Sequence, residues 1–148
     1  MKDCYQIKKP SDFKEVINDF LENSNRDRGV IALSGDLGAG KTAFTQELGK
    51  CLGVTEKIIS PTFTIMKSYP LERQRFANLI HIDAYRLEDE NEAKPLCLNE
   101  VFGKGNNIIC VEWPERIRSF LPSHTYWFEI EINSDQSRTV TVKSPAEK

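Results

Sequence analysis

The chain has neither a strong net charge nor a long apolar run. Its 148 residues carry 20 Lys and Arg against 22 Asp and Glu, a formal net charge of −2 at pH 7. A chain without excess positive charge is a poor match for a polyanion, so we expect no strong unaided binding to RNA or DNA. No stretch approaches the ~20 apolar residues of a membrane span, and the first residues lack the apolar core of a signal peptide. We therefore expect a cytoplasmic protein without a membrane anchor.

The cysteines and histidines form no metal-binding or disulfide pattern. Four cysteines occur without a C-x-x-C pair, at Cys4, Cys51, Cys97 and Cys110. Two of them fall on apolar faces of predicted elements, so we expect reduced and mostly buried thiols, as in a cytosolic protein. His81 and His124 stand alone, with no Cys or His partner at ligand spacing, and we expect no metal site on either.

The most informative stretch is GDLGAGKT, residues 35–42. It matches the phosphate-binding loop G-x-x-x-x-G-K-[ST] at every position. Glycines permit backbone angles that turn successive N–H groups toward an anion. Lys41 supplies positive charge for the β- and γ-phosphates, and the Thr42 hydroxyl can ligate Mg²⁺. A helix that begins at this loop would also direct its positive dipole end at the phosphates.

A glycine-rich turn that binds nothing is the alternative reading of this stretch. The flanking sequence argues against it, because the β-branched run from Val30 to Leu33 precedes the loop and a helical pattern from Lys41 to about Leu52 follows. Gly53 suits the left-handed cap that ends such a helix. Strand, loop and helix in this order predict a nucleotide-binding site.

The order of predicted elements indicates one α/β domain over residues 1–148. An amphipathic helix, with Ser11 as its N-cap, precedes the strand and helix that flank the loop. Then follow the strands TFTIMKSY and NLIHIDAYR, an acidic helix-prone stretch broken near Pro95, the strand NIICVEW, and a hairpin of TYWFEIEI and RTVTVK. We expect a P-loop NTPase-like three-layer sandwich with a mixed, mostly parallel central sheet and this C-terminal antiparallel hairpin.

Two predicted strands end in an acid. LIHID closes on Asp83, and IICVE closes on Glu112. A carboxylate at the end of a buried strand beside a phosphate-binding loop can hold Mg²⁺, directly or through water, or orient an attacking water. The spacing leaves open which acid has which task. Either acid could instead cap its strand or pair with Arg86 or Arg116.

Two further features near these strands have open interpretations. In SPTFT, residues 60–64, the Thr62 hydroxyl could respond to a γ-phosphate or its metal ion, as switch loops do. The same segment could be a plain turn that enters a strand. Trp113, directly after Glu112, either packs over the site or fills the core.

Four segments together resemble one family. GDLGAGKT, SPTF, HIDAYRL and VEWPE occur in the order and spacing of the TsaE family, small bacterial ATPases of tRNA threonylcarbamoyladenosine synthesis. The resemblance covers nearly the whole chain. It implies an ATP hydrolase that works with a TsaD-like transferase and a TsaB-like companion. That assembly modifies the adenosine beside the anticodon in tRNAs reading codons that begin with A, so tRNA would be contacted only through the complex.

The resemblance also implies roles for individual residues. In the family, the threonine that ends the loop and the glutamate of the EW motif hold Mg²⁺, which corresponds to Thr42 and Glu112. The aspartate of H-x-D-x-Y-R is catalytic and corresponds to Asp83, which we expect to act on the water together with Lys41 on the phosphates. From the resemblance, Ser11 and Arg138 are implied ATP contacts. The other ATP contacts that we expect come from the loop motif and from SPTFT: Asp36, Leu37, Gly38, Ala39, Gly40, Lys41, Thr42 and Thr62.

The chain departs from the family pattern after YRL. The family carries an E-L-x-x-[LM]-G stretch there, whereas this chain has NEAKPLCLNEVF with Pro95 and Cys97. The departure concerns the local helix geometry and a partner contact rather than the nucleotide site.

Two other functions share the phosphate-binding loop. A small-molecule kinase would need an acceptor-binding insert and an Arg-bearing lid, for which 148 residues leave little room. A nucleotide-gated binding subunit would use ATP only to control docking. Phosphate release separates the three, since a kinase phosphorylates an acceptor and a gate releases no phosphate even with its partners.

Overall fold

The computed structural model describes residues 1–24, 28–61, 64–72 and 75–145. Within these ranges the strands are β1 (Cys4–Ile7), β2 (Arg28–Ser34), β3 (Met66–Pro70), β4 (Asn78–Asp83), β5 (Asn107–Glu112), β6 (Tyr126–Ile132) and β7 (Arg138–Lys143). The α-helices are α1 (Phe13–Asn23), α2 (Lys41–Cys51) and α3 (Leu98–Gly103), and 3-10 helices cover Pro10–Asp12, Glu90–Leu96 and Pro114–Phe120. None of the helices in the described ranges has the length and apolar character to cross a membrane.

The strands form one sheet in the order β1-β7-β6-β2-β5-β4-β3. β2 pairs in parallel with both β6 and β5, and β5 pairs in parallel with β4. The pairings of β1 with β7, β7 with β6 and β3 with β4 are antiparallel. The sheet is therefore mixed, with a parallel centre, antiparallel edges and the predicted C-terminal hairpin. Because parallel strands end at the same edge, the segments that follow β2, β4 and β5 meet there.

One face of the sheet is covered by α1 and α2. Aromatic side chains connect the two helices to each other and to the sheet. The ring centres of Phe13 in α1 and Phe44 in α2 lie 5.3 Å apart, and those of Phe44 and Phe128 in β6 lie 5.6 Å apart. Both pairs meet edge to face, the arrangement that the ring quadrupoles favour. The predicted apolar face of α1 is confirmed, since Phe13, Val16, Ile17 and Phe20 are buried. This packing fixes α2, and with it the start of the helix at the phosphate-binding loop.

The opposite face is covered by α3 and two of the 3-10 helices. Leu98, Phe102 and Ile117 from these segments pack in one cluster with Ile82 of β4 and Val111 of β5. The predicted break in the acidic stretch is confirmed at Cys97, which has a left-handed φ of 53° between Glu90–Leu96 and α3. Helices on both faces of the sheet give the expected three-layer α/β sandwich.

The N-terminal segment differs from the sequence-based expectation in two places. β1 was not predicted. It has only four residues, of which Tyr5 and Ile7 are buried, and this alternation of exposed and buried side chains is too short to identify a strand from the sequence. Ser11 is not the N-cap of the first α-helix. It lies within the 3-10 helix Pro10–Asp12, and α1 begins only at Phe13. Proline at the first position of a helix starts the turn early, which displaces Ser11 from the cap.

The cysteines are less buried than expected. All four are free thiols, but only Cys110, in the central strand β5, is buried. Cys4 and Cys97 are exposed, and Cys51 is half-buried. The expectation of mostly buried thiols was wrong because Cys4 lies in an edge strand and Cys97 at a helix junction, positions that an apolar pattern does not reveal.

Candidate functional site

The phosphate-binding loop joins the end of β2 to the start of α2. Gly35 passes close to β6: a Cβ atom there would lie 2.6 Å from the carbonyl oxygen of Ile130. Gly40, directly before α2, has a φ of 113°, which side chains with a Cβ rarely adopt. The loop therefore requires glycine at both positions. Its path brings the N-terminus of α2, with the positive end of the helix dipole, to the carboxyl edge of the parallel strands.

Lys41 lies directly beneath the loop. Its side chain is nearly buried, and its ammonium group donates hydrogen bonds to the carbonyl oxygens of Gly35 and Asp36, the latter at 3.1 Å. Nζ also lies 4.0 Å from the ring centre of Trp113, within reach of a cation–π interaction. Burial lowers the pKa of Lys41, and the carboxylate of Glu112 acts in the opposite direction. These contacts fix the ammonium group at the loop.

Thr42 and Glu112 are in contact, although 70 positions separate them in the sequence. The Thr42 hydroxyl donates to the Glu112 carboxylate, with Oγ1 lying 3.2 Å from Oε1 and 3.3 Å from Oε2. Glu112 is the last residue of β5 and is the register partner of Leu33 near the end of β2, so β5 delivers its acid to the first turn of α2. The carboxylate is buried, with 3% of the residue exposed. A buried acid needs such donors, because an unpaired charge away from water is strongly unfavourable.

Asp83 lies at the end of the neighbouring strand, β4, in direct register with Glu112. One carboxylate oxygen, Oδ2, accepts a hydrogen bond of 2.5 Å from the Ser60 hydroxyl. The other, Oδ1, accepts one of 3.0 Å from the backbone N–H of Tyr85. Both oxygens are thus held in place. Of the two arginines considered as partners for either acid, Arg116 donates to the carbonyl oxygen of Leu87 at 2.6 Å.

These side chains line one cavity of about 350 Å³. It takes in most of the phosphate-binding loop and the ends of β4 and β5, and the predicted site residues in it are Leu37, Gly38, Gly40, Lys41, Thr42, Asp83 and Glu112. Asp36 and Ala39 line a neighbouring groove against β6 instead. The structure therefore gathers the loop lysine, the loop threonine and both strand-end acids around one space.

Two predicted nucleotide contacts, Arg138 and Ser11, do not line this cavity. Arg138, at the start of β7, donates to the carbonyl oxygens of Ala39 at 2.9 Å and Gly38 at 3.2 Å, and so ties the loop to the C-terminal hairpin. It borders a separate cavity of about 170 Å³. Ser11 is exposed and lines a surface groove whose other lining residues, Gln6, Lys8, Asp12 and Glu15, are not part of the loop. Thr62 lies outside the described residues.

Three side chains complete the site beyond the predicted set. Trp113, whose role the sequence left open, packs over the site, with its ring 5.1 Å from that of Tyr85. Ser60, in the SPTF segment, holds Asp83. His81 is fully buried, and its Nε2 lies 2.6 Å from Oε2 of Glu112. Strand periodicity could have indicated His81, because it precedes Asp83 by two positions and so shares its face of the sheet.

The oxygen atoms at this site suit a magnesium ion. Mg²⁺ is typically bound by one or two protein oxygens together with substrate phosphates, rather than by a cage of protein ligands. Thr42 and Glu112 provide a hydroxyl and a carboxylate in contact at the start of α2. Within the part of the chain that the structure describes, no group of three or more His, Cys, Asp or Glu is arranged to hold a metal ion. The hydroxyl of Thr42 and the carboxylate of Glu112 are oxygen donors of the kind that Mg²⁺ takes from a protein beside a bound phosphate.

The sheet and the loop between β2 and α2 define the chain as an α/β protein with a P-loop NTPase-like fold. A family model described as "Threonylcarbamoyl adenosine biosynthesis protein TsaE" matches residues 3–140. The chain therefore belongs to the TsaE family, whose members take part in tRNA threonylcarbamoyladenosine biosynthesis.

Individual relatives agree with this assignment. The chain is 42% identical over 112 residues to a tRNA threonylcarbamoyladenosine biosynthesis protein TsaE from Bacillus subtilis, covering 76% of this chain and 67% of the relative. It is 37% identical over 128 residues to the TsaE of Treponema pallidum, covering 86% and 87%. Among solved structures, the crystal structure of YdiB from Bacillus subtilis matches with a TM-score of 0.76 and 29% identity, over 97% of this chain and 85% of the other. These comparisons confirm the resemblance and the fold class that were inferred from the sequence.

Proposed function

We propose that the chain is a cytoplasmic, Mg²⁺-dependent ATP hydrolase required for threonylcarbamoyl modification of the adenosine next to the anticodon. The tRNAs concerned read codons that begin with A. The chain acts with a TsaD-like transferase and a TsaB-like companion, and contacts tRNA only through them. One observation carries the proposal: Thr42 and Glu112 are in contact beside the loop, with Asp83 in register on the next strand and all three in one cavity.

The loop and Lys41 bind the phosphates of ATP. The N-terminus of α2 presents backbone N–H groups and the positive end of its dipole to the same space. Lys41 exchanges its present hydrogen bonds to loop carbonyl oxygens for bonds to the β- and γ-phosphate oxygens, which are the stronger, charge-assisted acceptors. Its position beneath the loop then places positive charge where negative charge is transferred during hydrolysis.

Thr42 and Glu112 would hold Mg²⁺ between them. When bound, the ion neutralises charge on the β- and γ-phosphates and favours departure of ADP. The protein's contribution is to keep the hydroxyl and the carboxylate at the start of α2, within 3.3 Å of each other. The short separation in space of two residues that are distant in sequence supports a shared ligand.

Asp83 orients the attacking water and accepts its proton. The water oxygen forms a bond to the γ-phosphorus, the bond from that phosphorus to the β–γ bridging oxygen breaks, and the electron pair leaves on ADP. A carboxylate can accept several hydrogen bonds, so Asp83 retains lone pairs for a water while Ser60 and the Tyr85 N–H hold its two oxygens. The fixed carboxylate is therefore suited to positioning a nucleophile.

The rim of the cavity supports docking of the partners on the nucleotide-bearing face. Leu37 is 67% exposed and Tyr85 is 45% exposed, and both line the cavity. Large apolar side chains exposed beside a site often mark an interaction surface. A partner that covers this rim would exclude bulk water from the phosphates and so raise turnover.

Steady-state phosphate release by the purified chain, with and without the purified transferase pair, tests the proposal. We expect slow Mg²⁺-dependent release alone and faster release with the pair. A nucleotide-gated binding subunit would release no phosphate under either condition. A kinase would instead transfer the γ-phosphoryl group to an acceptor.

A further inference from the structure

A buried histidine lies directly behind the carboxylate of Glu112. His81 is in the middle of β4, none of its surface is exposed, and its register partner on β5 is Cys110. Glu112 lies two positions further along β5, so its side chain is on the same face of the sheet. Nε2 of His81 lies 2.6 Å from Oε2 of Glu112. A carboxylate only accepts hydrogen bonds, so Nε2 carries the proton and donates it.

Glu112 depends on few donors for its orientation. It is 3% exposed, and its two hydrogen-bonding neighbours among the described residues are the Thr42 hydroxyl and His81. The Thr42 contacts are long, at 3.2 and 3.3 Å, whereas the His81 contact is short. His81 therefore determines the direction of the carboxylate more strongly than Thr42 does.

The other ring nitrogen of His81 argues against a packing role. Nδ1 is buried and has no hydrogen-bond partner within the described ranges. An apolar side chain at this position would avoid the unfavourable burial of an unpaired polar atom. The hydrogen bond from Nε2 to Glu112 offsets the unfavourable burial of the unpaired Nδ1 atom.

We propose that His81 is a positioning residue for the metal site: it donates to Glu112 and holds the carboxylate in the orientation that binds a divalent cation together with Thr42. The proposal rests on the proposed role of Glu112 as a Mg²⁺ ligand. Groups that hydrogen-bond to metal ligands commonly raise metal affinity by fixing the ligand's direction. His81 itself contacts neither the cation nor the nucleotide.

Three substitutions of His81 test the proposal. His81→Gln places an amide N–H near the position of Nε2 and keeps the donor. His81→Asn is equally polar, but its shorter amide reaches only the level of Nδ1. His81→Leu removes both polar atoms and keeps an apolar filling. ATP affinity is measured for each by calorimetry at a series of Mg²⁺ concentrations and in excess EDTA, with the thermal unfolding midpoint as a folding control.

We expect His81→Asn and His81→Leu to raise the Mg²⁺ concentration that gives half of the Mg²⁺ effect on ATP affinity by about tenfold or more. About tenfold is the lower end of the usual loss in metal affinity when a group that supports a metal ligand is removed. His81→Gln keeps most of the wild-type Mg²⁺ dependence. ATP affinity in EDTA is the same for all folded variants. Equal Mg²⁺ dependence in the Asn, Gln and wild-type proteins would overturn the proposal, and so would an equal loss in the Asn and Gln variants.

A double-substitution cycle separates this proposal from the metal role of Glu112. In a Glu112→Gln background, substitution of His81 by Asn changes Mg²⁺ dependence no further, because the two residues act through one carboxylate. If Glu112→Gln alone leaves Mg²⁺ dependence unchanged, the proposed metal role of Glu112 fails and this inference fails with it. If Glu112→Gln weakens Mg²⁺ binding and the His81 variants do not, only the positioning role is wrong.

Discussion

Asp83 and Glu112 are register partners at the ends of adjacent parallel strands, yet their carboxylates have separate hydrogen-bond partners. Glu112 is directed at Thr42, at the start of α2. Asp83 is held by Ser60 and by the backbone N–H of Tyr85. The two acids both end a strand, and the strand pattern alone does not distinguish them. Their different hydrogen-bond partners do, and the roles proposed for the two acids rest on this difference.

The metal role of Glu112 predicts a change in magnesium dependence. Glu112→Gln keeps the shape of the side chain and removes its charge, so Mg²⁺ loses a carboxylate ligand. The Mg²⁺ concentration that half-saturates ATP binding should rise at least about tenfold. Loss of a group that only supports a metal ligand already lowers metal affinity by about this factor. Isothermal titration at several Mg²⁺ concentrations measures it. Glu100→Gln, an exposed position in α3, serves as the matched control and should match wild type.

The role of Asp83 predicts a loss of turnover without a loss of binding. Asp83→Asn retains an oxygen for the Tyr85 N–H but no longer accepts a proton from water. Phosphate release should fall by roughly 10²- to 10⁴-fold, the usual scale for a positioned acid–base group. ATP affinity in the presence of Mg²⁺ should stay within about twofold of wild type. Weakened binding with normal turnover of the bound ATP would reverse the assignment of the two acids.

The position of Lys41 predicts that its charge is needed for binding the phosphates. In Lys41→Ala, the β- and γ-phosphates lose a charge-assisted donor, a contribution of about 1.5–3 kcal/mol. ATP affinity should therefore fall about tenfold or more, as measured by displacement of a fluorescent ATP analogue. Lys50→Ala removes an exposed lysine from the same helix, 68% exposed at its side chain, and should bind ATP normally. Wild-type affinity and turnover in Lys41→Ala would contradict the phosphate-binding assignment.

The contacts of Arg138 predict a distant effect on the loop. Arg138→Ala removes the donors to the carbonyl oxygens of Ala39 and Gly38, so the loop is less firmly held against β7. ATP affinity should fall about tenfold, since each charged hydrogen bond contributes more than a neutral one. Hydrogen exchange of the loop amides should become faster in the same variant. Lys143→Ala, at the other end of β7, provides the control, and equal exchange in both variants would exclude a role for Arg138 at the loop.

Most of the fold follows from local patterns in the sequence. The strand, loop and helix around GDLGAGKT, the apolar face of α1 and the C-terminal hairpin were each predicted, because hydrophobic periodicity and turn residues determine them. β1 was missed because its pairing with β7 joins segments more than 130 positions apart. No local pattern of four residues specifies such a partner.

The site could be predicted in part. Residue types and strand ends identified Lys41, Thr42, Asp83 and Glu112, and the structure gathers them in one cavity. The supporting contacts were not predictable, because the bond from His81 to Glu112 depends on which strands are neighbours in the sheet. The prediction that Ser11 caps the first α-helix was wrong because the first turn is a 3-10 helix. Residue preferences near a proline do not distinguish a 3-10 turn from the start of an α-helix.

The most direct test of the proposed function is a titration of the purified TsaD-like and TsaB-like pair into a steady-state phosphate-release assay with Mg²⁺ and ATP. The proposed function predicts slow release by the chain alone, a saturable increase as the pair is added, and almost no release at any concentration with Asp83→Asn. It also predicts that ATP strengthens docking of the pair by the same factor as docking strengthens binding of ATP. Turnover that does not change with the pair, together with docking that does not depend on ATP, would contradict it.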